Sequence, residues 1–139
     1  DNVRFFALHC IDRLFRNHTS MTPEAILAVK SEVLISVSKN GKNEAKFMKK
    51  KIASILISLI EIQFPLEWEN FFVDFCDGLK GCDSKIEIWI YALNKHIENM
   101  EYFDGEIKND FKRKNILFLE SLSKNMPAIS SVMYDRMKH

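Results

Sequence analysis

The apolar residues of this chain recur every three to four positions over most of its length. The clearest stripe is formed by Ile86, Trp89, Ile90, Leu93 and Ile97, which share one face of a predicted helix. No stretch of four to eight residues shows the alternation and flanking turn residues that predict a strand. The pattern therefore predicts an all-α chain. The predicted helices cover about residues 3–17, 22–39, 44–63, 67–80, 85–100, 106–125 and 127–138.

The predicted helix at 44–63 is apolar on nearly every side in its second half. Its polar residues Ser54, Ser58 and Glu61 are four and three positions apart, and Lys50 extends the same narrow stripe toward the N-terminus. A helix that is apolar on all sides but one must be flanked by neighbours. We therefore expect other helices to pack on both flanks of this one.

A proline separates this helix from a run of large aromatic residues. Pro65 is expected to end the helix, because the residue before a proline is pushed out of the α region. Trp68, Phe71 and Phe72 follow at once and offer a large apolar surface. We expect these rings to pack against the preceding helix, so that the corner joins two structural repeats.

The helices alternate between shorter and longer ones, and the pairs begin near residues 22, 66 and 105. This spacing of about 40 residues is typical of HEAT and armadillo repeats, which stack helix pairs into an α-α superhelix. The whole chain is thus predicted to be one segment of a helical solenoid in a longer protein. Such a segment is expected to expose apolar faces at both ends of its stack.

The composition and the motifs argue against several classes of function. The formal net charge is +1, which argues against wholesale polyanion binding but allows a local basic patch. The three cysteines form no C-x-x-C pair, which indicates reduced thiols in an intracellular compartment. Neither a metal-ligand spacing nor a glycine-rich phosphate loop is present, and no apolar run is long enough to cross a membrane. The chain is predicted to be a non-enzyme that needs no cofactor and no membrane.

Two helices carry polar stripes that are candidates for contact with a protein partner. Mixed charges and an amphipathic tyrosine suit a protein surface better than a phosphate backbone. The alternative is that both stripes are only solvated faces. The candidates are Lys50, Ser54, Ser58 and Glu61 on the helix at 44–63, and Glu87, Tyr91, Asn94, Lys95 and Glu98 on the helix at 85–100.

Two basic runs, "KFMKKK" and "KNDFKRK", are candidates for contact with RNA phosphates. The first also fits a nuclear localisation signal, and both fit solvated helix starts. The residues proposed for RNA contact are Lys46, Lys49, Lys51, Lys112, Arg113 and Lys114.

Several segments of the chain resemble one known family. The segments "VRFFALHCIDRLFRNH", "FPLEWENFF", "RKNILFLESLSKNM" and "MYDRM" come in the order and spacing seen in exportins of the karyopherin-β family. The chain is similar to their N-terminal exportin-like domain, and most similar to that of the tRNA exportins. The precursor-microRNA exportins share a similar aromatic corner, so they stay open as an alternative.

The resemblance implies a nuclear transport receptor. Such receptors bind Ran in its GTP form together with cargo in the nucleus, and release both in the cytoplasm after GTP hydrolysis. It implies that the second helix of each repeat faces Ran on the concave side, and that tRNA or another structured RNA is the cargo. The full-length protein would be a monomeric receptor that contacts nucleoporins and shuttles between nucleus and cytoplasm. A protein exportin, or a HEAT or armadillo scaffold that binds neither Ran nor RNA, stays open as an alternative, and so does a compact helical enzyme or regulatory domain.

Overall fold

A computed structural model describes residues 2–16, 22–39, 45–102 and 109–138. These ranges are helical and contain no strand, which confirms the predicted all-α class. None of these helices combines the length and the apolarity needed to span a membrane. The six helices are α1 (Asn2–Arg16), α2 (Pro23–Lys39), α3 (Lys46–Gln63), α4 (Phe71–Leu79), α5 (Asp83–Tyr102) and α6 (Asn109–Lys138).

Three helices, α1, α3 and α5, form a row that we call the odd row. In this row α3 packs against α1 on one flank and against α5 on the other. Contacts between α1 and α3 join residues 42 positions apart, namely His9 with Lys51 and Asp12 with Ser54. Lys49 on α3 pairs with Glu87 on α5, 38 positions away. Because the separation stays near the predicted repeat length, the helices run parallel as equivalent elements of successive repeats.

The other helices cover the buried side of the odd row. Helix α2 packs against α3, α4 packs against α5, and α6 packs against α4. The arrangement is the two-layered stack of a helical solenoid, as predicted from the alternating helix lengths. Thr22 caps the N-terminus of α2, because its Oγ1 accepts a hydrogen bond of 3.2 Å from the backbone N–H of Ala25.

Helix α3 lies at the centre of the core. Its residues Ala53, Ile55, Leu56 and Leu59 are fully buried, while Ser54, Ser58 and Glu61 are half-buried. The narrow polar stripe is therefore the least covered side of α3, although Ser54 is bonded to the buried Asp12 of α1. This confirms the prediction that a helix with a single polar stripe has neighbours on both flanks.

The segment between α3 and α4, at the proline corner, is longer than predicted. Helix α3 ends at Gln63, and Phe64 has an extended backbone before a cis bond to Pro65, so the predicted end is confirmed. The predicted helix at 67–80, however, begins only at Phe71. The backbone N–H groups of Glu67 and Trp68 both donate to the carbonyl of Gln63, at 2.9 and 3.0 Å. These turn bonds fold the segment back onto the end of α3 and delay the start of α4.

The aromatic residues of the corner form the densest part of the core. The ring of Phe71 lies 5.0 Å from Trp68, 4.9 Å from Phe72 and 5.7 Å from Phe118 of α6. Phe64 also contacts Phe118, with ring centroids 5.1 Å apart. The corner thus ties the end of α3 to α4 and α6, which confirms that it joins successive repeats.

The sequence predicted two separate helices at 106–125 and 127–138, and this division was wrong. Helix α6 runs without a break through Pro127 for 30 residues. An interior proline removes one backbone hydrogen bond and crowds the preceding turn. Here the side-chain amide of Asn125 donates to the carbonyl of Ser121 at 2.7 Å, which adds a bond to that turn. The side chains that anchor α6 to the core, Phe118, Leu122, Ile129 and Val132, lie on both sides of the proline and hold the helix together.

Apolar side chains are exposed at both ends of the stack, as predicted for a solenoid segment. On α1, Val3 and Phe6 are exposed, and on α6 the exposed residues include Ile116, Leu119 and Met137.

Close packing at Gly78 leads to a test of this core. A Cβ atom at Gly78 would lie 2.3 Å from Nε1 of the buried Trp89 indole, which has no room to move. We expect Gly78→Ala to lower the free energy of unfolding by about 1–3 kcal/mol, because overpacking forces the ring off its position. Urea unfolding measures the change.

Gly81→Ala is the matched control for that substitution. A Cβ atom at Gly81 would also meet an atom at 2.3 Å, but that atom is Cδ of the flexible Lys85 side chain. Lys85 can swing into solvent, so we expect a change below about 0.5 kcal/mol. Equal effects of the two substitutions would contradict the role of the Trp89 contact.

Candidate partner-binding groove

The predicted partner-binding residues lie on the uncovered side of the odd row. On α3, Lys50 is exposed, whereas Ser54, Ser58 and Glu61 form a half-buried floor between α1 and α5. The residues predicted on α5 form an exposed ridge beside this floor, and they are Glu87, Tyr91, Asn94, Lys95 and Glu98. The structure therefore gathers both predicted stripes on one surface.

A groove of about 150 Å³ opens between the N-terminal halves of α3 and α5. It contains residues from the predicted partner stripe and from the first basic run, which the sequence treated as two sites. The residues that define this α3–α5 groove are Lys46, Lys49, Lys50, Glu87, Ile88 and Tyr91. The groove is thus lined by three cations, one carboxylate, one phenol and one apolar side chain, that of Ile88.

An ion pair crosses the groove from one helix to the other. Nζ of Lys49 lies 2.5 Å from Oε2 of Glu87, and the two side chains are 20% and 61% exposed. Lys46 and Lys50 are exposed beside this pair and make no ion pair with another described residue. The groove therefore keeps an excess of positive charge that is open to solvent.

Two further residues of the α5 ridge pair with each other within that helix. Lys95 contacts Glu98 at 3.3 Å, and both side chains are about half exposed or more. Asn94 is exposed next to them. Such an exposed pair within one helix contributes little to stability, so these side chains can turn toward a partner at small cost.

One basic residue predicted to contact RNA has a different environment. Lys51 faces the α1–α3 contact, where its Nζ donates to Oδ2 of Asp12 at 3.2 Å and lies 3.2 Å from Nδ1 of His9. Asp12 is 1% exposed and also accepts a bond of 2.9 Å from Ser54 Oγ. Lys51 thus serves the packing of α1 on α3, and it lies outside the α3–α5 groove.

Asp12 belongs to neither of the polar stripes predicted from the sequence. Its signal in the sequence is an acidic residue inside the apolar stripe of α1, between Leu8, Ile11 and Phe15. A carboxylate in such a position needs a buried cation or hydrogen-bond donors, and α3 supplies both.

The second basic run is at the other end of α3. Lys112, Arg113 and Lys114 are exposed on the first turns of α6. Lys114 and Asn115 line a cavity of about 20 Å³ together with Glu61 and His96. Since Lys50 and Glu61 are eleven residues apart on one helix, roughly 16 Å separates this cluster from the α3–α5 groove. The two basic clusters are distinct surfaces.

His96 is buried in the same region without a described partner for Nδ1. Its ring meets the edge of Phe118 at a centroid distance of 4.6 Å. Burial disfavours the charged form and lowers the pKa of His96 from 6.5 to about 4. The imidazole is therefore neutral at pH 7 and behaves as part of the core.

This lowered pKa predicts a loss of stability in weak acid. The unfolded chain binds a proton at His96 below pH 6.5, whereas the folded chain does so only near pH 4, so stability falls through that window as pH falls. We expect a loss of about 2 kcal/mol from this residue between pH 7 and pH 5. Urea unfolding at both pH values measures it.

His96→Gln removes the titrating group and serves as the comparison. The variant should be less stable at pH 7 but should lose about 2 kcal/mol less than the wild type on going to pH 5. The same pH dependence in both proteins would show that other groups cause it.

A larger concavity, which the sequence did not indicate, lies between the α4–α5 turn and the end of α6. Its volume is about 640 Å³, and Arg136 spans one edge by donating to the carbonyl of Gly81 at 2.8 Å and to Asp83 at 2.5 Å. The lining residues are Leu79, Lys80, Asp83, Val132, Asp135 and Arg136. The Arg136 contacts fix the end of α6 against the neighbouring turn.

A search for metal-binding groups within the described ranges finds no cluster of three or more His, Cys, Asp or Glu side chains. The three cysteines are free, and burial raises the pKa of the Cys76 thiol. The chemistry of the uncovered face is thus that of ion pairs, hydrogen bonds and one exposed tyrosine, which suits recognition of a macromolecule.

Comparisons with known proteins bear on the identity of the chain. Residues 45–139, more than half of its 139 residues, match the family described as Exportin 1-like protein. Among curated proteins, Exportin-5 of Dictyostelium discoideum is 25% identical over 121 residues. That match covers 84% of this chain and 11% of the relative, so the chain spans about a tenth of the relative's length. No solved structure matches the chain.

Proposed function

The chain belongs to the Exportin 1-like protein family of nuclear export receptors, and on this basis we propose that it helps such a receptor to hold Ran in its GTP form together with an RNA cargo. The α3–α5 groove is the observation that carries the proposal. It lies on the odd row, which consists of the second helices of successive repeats, and it combines excess positive charge with an exposed tyrosine. Such a mixture suits a protein partner.

The proposed Ran contacts are the exposed members of the two stripes. Lys50, Tyr91 and Lys95 are the first to test, because each is exposed and together they offer two cations and an aromatic ring to a protein partner. Ser54, Ser58 and Glu61 lie deeper, on the floor, and would be reached only by a long side chain of the partner. Asn94 and Glu98 complete the surface, whereas Glu87 is exposed at its edge and is occupied by Lys49.

The proposed RNA contacts are the basic residues at the start of α6. Lys112, Arg113 and Lys114 form a compact exposed cluster that is able to neutralise phosphates. Structured RNA is read mainly through its shape and its backbone, so such a cluster would contribute affinity with little sequence preference. We propose tRNA as the cargo, with a precursor microRNA as the alternative.

Cooperation between Ran and cargo would follow from the solenoid architecture. Small rotations at successive repeat contacts add up to a change in curvature. If Ran and RNA both favour the same curvature, each strengthens the binding of the other by the same factor. The full-length receptor would shuttle between nucleus and cytoplasm as a monomer, contact nucleoporins and need neither catalysis nor a cofactor.

Binding of the full-length protein to Ran tests the proposal. Affinities are measured for the GTP and GDP forms, each with and without tRNA. We expect selective binding of the GTP form, and tighter binding when tRNA is present. Lys50→Ala and Tyr91→Ala should weaken Ran binding by about tenfold each, whereas Lys124→Ala, at an exposed lysine of α6, should not.

The other results of this experiment have distinct meanings. Selective binding of the GTP form that tRNA leaves unchanged would assign a different cargo, which a precursor microRNA can then test. Equal binding of both nucleotide forms, or no binding, would overturn the proposal in favour of a helical scaffold.

A further inference from the structure

The Lys49–Glu87 ion pair occupies the α3–α5 groove and also ties two neighbouring repeats together. We propose that Glu87 is an internal competitor: its carboxylate occupies Lys49 until a carboxylate on an acidic protein surface replaces it. The inference rests on the proposed function, because it describes how the same groove accepts its partner.

The geometry of the pair favours replacement. Lys49 is mostly covered by its neighbours, whereas Glu87 is 61% exposed. Water can replace the contacts of the exposed Glu87 carboxylate when it leaves, so its departure costs little on that side of the pair. The mostly covered Lys49 ammonium then needs another anion, which a partner carboxylate would supply.

The surrounding charges indicate the chemistry of the partner. Lys46 and Lys50 flank Lys49 on α3 and form no ion pair with another described residue. Three cations facing one carboxylate leave a net attraction for acidic groups. Ile88 and Tyr91 add apolar and hydrogen-bonding surface, which a protein partner uses more fully than a phosphate backbone does.

Exchange of the carboxylate would couple binding to curvature. Glu87 is on α5 and Lys49 is on α3, so the pair exists only while the two repeats keep their present spacing. A partner that takes Lys49 removes this one polar tie between the two helices, while the apolar packing of α5 in the core remains. Partner binding and curvature then become linked, and the linkage must be reciprocal.

The test compares two substitutions that each remove one negative charge. Glu87→Gln frees Lys49, whereas Glu32→Gln removes an exposed carboxylate of α2, in the other layer of the stack from the groove. Affinities of the full-length protein are measured for Ran in its GTP form and for a peptide of ten glutamates. We expect Glu87→Gln to strengthen both interactions by about two- to fivefold relative to Glu32→Gln, which matches the modest strength of a partly exposed ion pair.

Each outcome bears on the inference. Equal effects of the two substitutions would show that only the overall charge matters, which would overturn the inference. Weaker binding by Glu87→Gln would overturn it by showing that Glu87 itself contacts the partner. Stronger binding of an RNA oligonucleotide without a change for the peptide or for Ran would assign the groove to RNA. If Ran does not bind the wild type at all, the proposed function fails. The peptide comparison still tests whether Glu87 competes with other carboxylates for Lys49.

Discussion

Replacing Trp68 by alanine should lower the free energy of unfolding by about 3–5 kcal/mol. Trp68 is 2% exposed and packs edge-on against Phe71, and its Nε1 donates to Oδ2 of Asp74 at 2.8 Å. Its other face is covered by Lys30, whose Nζ lies 4.2 Å from the ring centroid. Truncation leaves a cavity at the repeat corner and removes the donor for a half-buried carboxylate. Urea unfolding of wild type and variant measures the loss.

Lys30 contributes to the cost of this change. Burial lowers the pKa of the Lys30 ammonium, and the nearby charge of Asp74 partly opposes that effect. The ring of Trp68 is therefore one of the few favourable contacts of a partly desolvated cation. Without the ring, Lys30 has to move toward solvent or toward Asp74.

Two further variants make the Trp68 prediction specific. Trp68→Phe keeps most of the ring but loses the N–H group, so we expect a smaller cost of about 1–2 kcal/mol. Leu66→Ala, two positions earlier and 84% exposed, should change stability by less than about 0.5 kcal/mol. A cost below about 1 kcal/mol for Trp68→Ala would mean that the corner does not hold the repeats together.

Removal of the Asp12 carboxylate should be nearly as damaging. Asp12→Ala leaves Lys51 without its anion between α1 and α3, and it also removes the acceptor of Ser54. Breaking a buried pair in this way costs about 3–5 kcal/mol, and because Lys51 is 17% exposed we expect about 2–4 kcal/mol. Urea unfolding again gives the change, and hydrogen exchange of the α1 amides shows whether it is local.

An apolar replacement of both partners separates charge from packing. Asp12→Leu combined with Lys51→Met removes the ion pair without leaving a buried charge, so most of the lost stability should return. Arg13→Ala, at the exposed neighbouring position, should have little effect. If the double variant is as unstable as Asp12→Ala, the loss comes from Ser54, or from the shape of the contact, and not from an unpaired charge.

The parts of the fold that could be predicted from the sequence depend on rules that act within a few residues. The single polar stripe of α3 predicted neighbours on both flanks, because the remaining surface of that helix is apolar. Pro65 predicted the end of α3, since the restriction that it imposes acts on the residue just before it. The corner that follows depends on two backbone bonds to Gln63, and propensities at 67–70 give no sign of them.

Pro127 shows where local rules fail. An isolated helix would break or kink at this residue, but side chains on both sides of it are packed into the core. The tertiary contacts outweigh the local cost of the proline. No inspection of the segment alone could weigh these two terms, because the second depends on α4.

The candidate site was only partly accessible to sequence reasoning. Helical spacing placed Lys50, Ser54 and Glu61 on one side of α3, and in the structure Lys50 is exposed on that side while Ser54 and Glu61 are half-buried. Spacing along one helix does not report which residue of another helix stands opposite, so the Lys49–Glu87 pair and the burial of Lys51 by Asp12 were out of reach. The roles of these residues toward Ran and RNA stay predictions.

Helix α6 is fixed at two distant points, and this makes the segment unevenly stiff. Phe118 sits in the aromatic core near one end, and Arg136 grips Gly81 and Asp83 near the other, a span of roughly 27 Å along the helix. The helix therefore acts as a brace across the last two repeats and resists bending between them. Helix α1 is joined to α3 in another way, by apolar packing together with the polar network centred on Asp12.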